Sequence, residues 1–204
     1  MLAAERPALL RRGLVLEYLT IGWNSLEAVV GIVLGLAAGS VALIGFALDS
    51  IAETASGGVL VWRLGAERGG RDVDELERRA IRGVALAFFG LALYVGARSA
   101  FDLVTRARPE ESIGGMVLAG VSLVAMPLLA WRKWRVARAL DSRSMLGDST
   151  QTILCALLSA VLLAGLAANA WLGWWWADPF AGLVIAGVAA NEGRELWTTE
   201  EICC

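Results

Sequence analysis

The chain has 204 residues, 57% of them hydrophobic and only 19% charged, with a mean hydropathy of +0.62. That balance excludes a soluble globular enzyme, a disordered chain and a secreted disulfide scaffold. A net charge of −2 with no histidine gives no basic surface for nucleic acid, and one isolated cysteine plus an adjacent terminal pair make no disulfide framework.

A helix needs about 20 mostly apolar residues to cross a hydrocarbon core of about 30 Å. Six runs meet that requirement: 14–36, 41–62, 80–104, 114–131, 145–172 and 176–197. Backbone groups in lipid must bond to one another, so the spacing predicts an all-α polytopic membrane protein of six helices. Met1–Pro7 is short and polar, and no small-residue cleavage site follows the first run, so no signal peptide is expected.

Span 1 carries Glu17, Thr20, Asn24 and Glu27, whose steps of three and four residues draw one polar stripe. Gly31, Gly35 and Gly39 form a small-residue run expected on the opposite face, suited to close helix contact. A tight uncharged turn at Ala37–Ser40 leads to span 2, which holds Asp49 and Glu53 one turn apart on one face. The hydrophilic stretch Arg63–Arg79 is expected to be a loop. A second loop is expected after span 4, holding Arg132, Lys133, Arg135, Arg138 and Arg143. Span 5 places Asp148, Gln151 and Cys155 on one stripe. Trp171, Trp174, Trp175 and Trp176 surround Gly173 between spans 5 and 6 and read as an interfacial belt. Asp178 before Pro179 reads as the N-cap of span 6.

Fifteen of the 18 basic residues fall on one side if all six spans cross, which predicts both termini in the cytoplasm. No soluble domain is expected, because the hydrophilic stretches are of loop length and few residues follow span 6. The function is therefore expected inside the bilayer.

An acidic side chain at mid-bilayer costs on the order of 3 kcal/mol, so it is read first as functional. Asp49 and Glu53 would repel each other unless a bound cation or a shared proton intervened. Gln151 and Cys155 repeat their spacing on span 5. Two helices, each offering a pair one turn apart, could enclose a four-ligand site for a divalent metal. Glu27 and Gln151 read equally well as structural hydrogen-bonding residues, and Cys155 alone would read as a small apolar filler. Asp148 reads as a hydrated helix-start residue near the cytoplasmic end. Cys203 and Cys204 could bind a soft metal. A hydrolase is disfavoured, since Cys155 has no histidine to act as its base, so no enzyme activity and no prosthetic group are expected.

These residues resemble the cation diffusion facilitator family, in particular a short branch consisting of the transmembrane domain only. Gly39-Ser40-Val41-Ala42-Leu43 followed by Asp49 and Glu53 matches its second span. Gly147-Asp148-Ser149-Thr150-Gln151 followed by Cys155 matches its fifth, and Trp174-Trp175-Trp176-Ala177-Asp178-Pro179 matches the opening of its sixth. Asn24 matches a common polar position on the first span. The resemblance implies efflux of a divalent cation, mostly zinc, in exchange for protons, by a homodimer of six-helix subunits in the lipid bilayer. It assigns Asp49, Glu53, Gln151 and Cys155 to the metal and leaves Glu27, Asn24 and Asp148 for proton coupling or for supporting the ligands. Three departures stand out. Glu53 replaces an Asp. Gln151 and Cys155 replace a His or Asp and an Asp. No cytosolic C-terminal domain is expected, so a dimer would form through membrane helices. A non-transporting metal-binding accessory or sensor protein is the alternative.

Overall fold

The computed structural model describes residues 6–68 and 74–199. They form six helices: α1 (Arg6–Ala38), α2 (Val41–Arg68), α3 (Asp74–Thr105), α4 (Ile113–Leu140), α5 (Arg143–Leu172) and α6 (Ala177–Thr199). Among the described residues there is no strand. All six expected spans are present as helices. Five of them are long and apolar enough to cross a membrane. The sixth, α6, has 23 residues and is about 34 Å long at 1.5 Å per residue. Its apolar run is broken near the end by Asn191, Glu192, Arg194 and Glu195.

Hydrogen bonds between the turns set the topology. The backbone N–H of Glu110, in the α3–α4 loop, donates to Ala38 O at the end of α1 (2.8 Å). Asn169 near the end of α5 donates to Pro109 O in the same loop (3.1 Å). The α1–α2, α3–α4 and α5–α6 connections therefore share one end of the bundle. The start of α1 and the α4–α5 turn lie at the other.

The bundle is apolar outside as well as inside. Phe46, Phe88, Met126, Leu162 and Ile185 fill the core, while Val33, Leu36, Leu93, Val104 and Val124 are exposed on the periphery. An apolar surface that extensive, on helices long enough to cross a bilayer, suits contact with lipid. The polar residues are turned inward: Glu17, Asn24, Glu27, Asp49, Glu53, Lys133, Asp148 and Glu192 are all buried. The chain is an integral, multi-pass membrane protein.

Four sequence expectations are corrected. The stretch Arg63–Arg79 is mostly helical, because α2 runs to Arg68 and α3 begins at Asp74. Residues 69–73, and Cys203 and Cys204, lie outside the described residues. The expected loop after span 4 is also helical. α4 continues to Leu140, and the turn is only Asp141 and Ser142. Asp141 adopts φ 52 and donates its N–H to Ala137 O and Arg138 O, and the Ser142 hydroxyl accepts from Met145 N. These caps close both helix ends within two residues, and long basic side chains cost a helix little.

The third correction concerns Asp178. It lies in the first turn of α6 but does not cap that helix. Its carboxylate accepts from the Ser40 hydroxyl and from Val41 N (3.0 Å), so it caps α2. The start of α2 is buried beside it and has free N–H groups, which attract an anion. The fourth concerns the glycines. Gly31 and Gly35 continue the polar stripe of α1 and do not oppose it. A Cβ at Gly31 would lie 2.9 Å from Ala47 Cβ, and one at Gly35 would lie 2.7 Å from an Ile44 side-chain carbon and 3.1 Å from Ile44 N. Gly35→Ala is expected to push α1 off α2 and to cost about 1–3 kcal/mol. Thermal unfolding in detergent measures this, with the exposed Gly83→Ala, whose Cβ would meet open space, as the neutral comparison.

Candidate metal centre

Asp49 and Glu53 lie on the buried face of α2 for the reason their spacing gave: i and i+4 point the same way. Across from them α5 presents Gln151, Leu154, Cys155 and Leu158, and α6 presents Val188 and Glu192. Together with Phe88 these side chains line a cavity of about 10 Å³. That is room for about one water-sized body. The four residues expected as ligands are thus brought to one place.

The lining is charged and poorly satisfied. Both carboxylate oxygens of Glu53 are buried without a hydrogen-bond partner. The Cys155 thiol faces that carboxylate. Gln151 Oε1 accepts from the Ser56 hydroxyl (3.0 Å), while its buried Nε2 has no partner and faces Glu192. The charges acting on Asp49 are Glu53, Glu192 and Glu27, all acidic. Leaving an anion unpaired in a low-dielectric interior costs several kcal/mol, so such a cluster favours a bound cation. Among the described residues no three acidic, thiol or imidazole groups already converge as a ready-made cage. The candidate donors line the cavity without meeting at one point.

Glu192 is the residue that sequence reasoning missed. It falls inside the sixth apolar run, and an intramembrane carboxylate is a signal by itself. It lies near the end of that run, among the polar neighbours Asn191, Arg194 and Glu195.

Glu27 lies just outside this lining and is fully occupied. Its Oε1 accepts from the Trp23 indole (2.5 Å) and from the Ser122 hydroxyl of α4, and its Oε2 from the Ser50 hydroxyl of α2 (3.1 Å). It joins three helices one turn of α2 away from Glu53. Asn24 is fully buried, and neither atom of its amide has a partner. With Glu27 opposite Ser50 and Gly31 against Ala47, the antiparallel register puts Asn24 level with Glu53.

Asp148 is neither hydrated nor a helix-start residue. It is buried and ion-paired to Lys133 (2.5 Å). Lys133 also donates to Glu17 Oε2 of α1 (3.0 Å) and to Thr152 Oγ1 (3.3 Å). An ammonium has three hydrogens, and all three are used here. Lys133, the single lysine of the chain, was expected in a cytoplasmic loop. It is instead a fixed internal cation with 0% exposure, tying α4 to α1 and α5. Its charge also acts on Glu53.

Residues 18–199 match the cation efflux transmembrane domain family. An uncharacterized transporter of Synechocystis sp. is 28% identical over 192 residues, covering 89% of this chain. The chain spans 59% of that relative's length. With the match running from α1 to the end of α6, and with acidic, amide and thiol groups from α2, α5 and α6 around one buried cavity, the chain belongs to the cation efflux family.

Proposed function

We propose that the chain moves a divalent cation of the zinc type across the bilayer in exchange for protons. The ion is held by Asp49 and Glu53 of α2 and by Cys155 and Gln151 of α5, with Glu192 of α6 closing the set. The observation that carries this reading is the acidic cavity itself, in which both oxygens of Glu53 have no partner. The ion enters from the end where α1 begins and α4 ends, which the basic residues mark as cytoplasmic. Rocking of the bundle then exposes the site on the other side. Two copies pair through their membrane helices.

Ligands bind metal deprotonated, so protons compete for the same oxygens. The chain has no histidine and Gln151 has no titratable proton, so the exchange runs through the carboxylates. Carboxylates alone would suit hard ions. The Cys155 sulfur and the Gln151 amide shift the preference toward borderline-soft ions.

The test is zinc flux into proteoliposomes with and without a pH gradient. Flux should rise when the receiving side is the more acidic. Zinc binding without flux would remove the transport reading and leave a metal-binding accessory protein. Cys155→Ser keeps the volume but replaces sulfur with oxygen. It is expected to lower the zinc-over-manganese preference by roughly tenfold, read from competition flux. An unchanged ratio would show that the sulfur does not touch the ion.

A further inference from the structure

A second site lies on the outside of the bundle, away from the metal cavity. The first turns of α1 and the last turns of α4 border an open groove of about 970 Å³. Arg11 and Arg12 stand on the α1 side, and Arg132 and Arg135 on the α4 side. The groove between them is apolar, lined by side chains such as Leu9, Val15 and Leu19. Among the described residues no acidic side chain lines it. Arg135 lies 4.7 Å from the ring centroid of Trp131, which itself lines the groove and is half exposed.

Four guanidinium groups around an apolar trough are not explained by folding. Among the described residues Arg11, Arg12 and Arg132 have no carboxylate partner. Like charges gathered on one rim repel one another unless an anion sits between them. Guanidinium is the side chain best shaped for phosphate, which it binds through two parallel hydrogen bonds. The apolar lining continues from the arginines toward Leu19, one to two turns deeper along α1, so the anion's body must be apolar beyond its head. Tryptophan at such a level is characteristic of the headgroup region of a bilayer.

We propose that this groove binds one anionic phospholipid, with its phosphate and uncharged or acidic headgroup among Arg11, Arg12, Arg132 and Arg135 and an acyl chain along the face of α1. A zwitterionic lipid fits less well, because its ammonium group would be brought up to the same four cations. The position ties the lipid to the interior. Leu16 and Arg132 line the groove, and their chain neighbours Glu17 and Lys133 form the buried ion pair on the inner side of the same two helices. The lipid and the ion pair clamp the α1–α4 seam from opposite faces.

The test uses the full chain in mild detergent, incubated with phosphatidylglycerol or phosphatidylcholine, with lipid retained per protein read by native mass spectrometry. The wild type should prefer phosphatidylglycerol by about tenfold or more. The variant with Arg11, Arg12, Arg132 and Arg135 all changed to Gln should bring the two lipids within about twofold. Removing charge at the other end of the bundle, with Arg106→Gln and Arg108→Gln, should leave the preference intact. These arginines are exposed, and a thermal unfolding scan of each variant reports on folding directly. Three results would overturn the proposal. One is equal retention of the two lipids by the wild type. The second is a preference that persists in the four-arginine variant or is lost equally in the Arg106/Arg108 variant. The third is displacement of the lipid by glycerol phosphate at equal concentration, which would make the groove a site for a soluble anion. Dissociation of a dimer by the four-arginine variant with lipid retention unchanged would also overturn it, assigning the groove to a second copy of the chain.

Discussion

Glu53→Gln is expected to reduce zinc flux by on the order of a hundredfold while leaving the protein as stable as the wild type, or slightly more so. Residues that merely support a metal's ligands already account for about 10–100-fold in affinity or activity, so a direct ligand belongs at the upper end of that range. The stability half of the prediction makes the test sharp. Glutamine has nearly the same volume as glutamate, and both Glu53 oxygens are buried without a hydrogen-bond partner. Neutralising the group removes its repulsion with Asp49, and it removes a desolvated charge from a dry cavity. A purely structural carboxylate would behave in the opposite way, with stability falling and flux following it. Flux is measured in proteoliposomes and stability by thermal unfolding in detergent. Wild-type flux in this variant would show that the cavity is not the transport site.

Lys133→Met is expected to cost about 3–5 kcal/mol, the largest stability effect of any single substitution considered for this chain. Lys133 is enclosed, with Glu17 and Asp148 buried against it. Methionine fills similar space but leaves two carboxylates facing each other without a cation. The charge, not the packing, carries the effect, and the triple variant with Glu17→Gln and Asp148→Asn should recover most of the loss. Thermal unfolding of the single and triple variants decides it. Equal destabilisation in both would mean that the lysine matters through its hydrocarbon stem alone.

The six spans were legible because a membrane demands long apolar runs, which survive any rearrangement of side chains. Asp49 and Glu53 were legible because a carboxylate in such a run is costly and two at i, i+4 share a face. The Lys133 network was not, since a helix carries its own period past the point where its sequence turns basic. Met126, Ala130, Lys133, Ala137 and Leu140 are all buried, at steps of four and three, so Lys133 continues the inward stripe. Its neighbours Arg132 and Arg135 point outward. Reading the stripe through the basic segment would have separated the one inward cation from the outward ones. Even so, its partners could not have been named, because Glu17 lies 116 residues away and nothing in the sequence joins them. Asp178 failed for a similar reason. The Asp-Pro pair suggested a local cap, while the helix it serves lies far off in the chain.

That carboxylate has a mechanical consequence. One side chain of α6 holds the first turn of α2, so the α1–α2 and α5–α6 hairpin tips are latched together at the end of the bundle opposite the start of α1. Pulling α2 away from α6 at that end would strand the first N–H groups of α2 in a dry setting. The latch therefore makes α6 answerable for where α2 begins, and the two hairpin tips share one hydrogen-bonded joint.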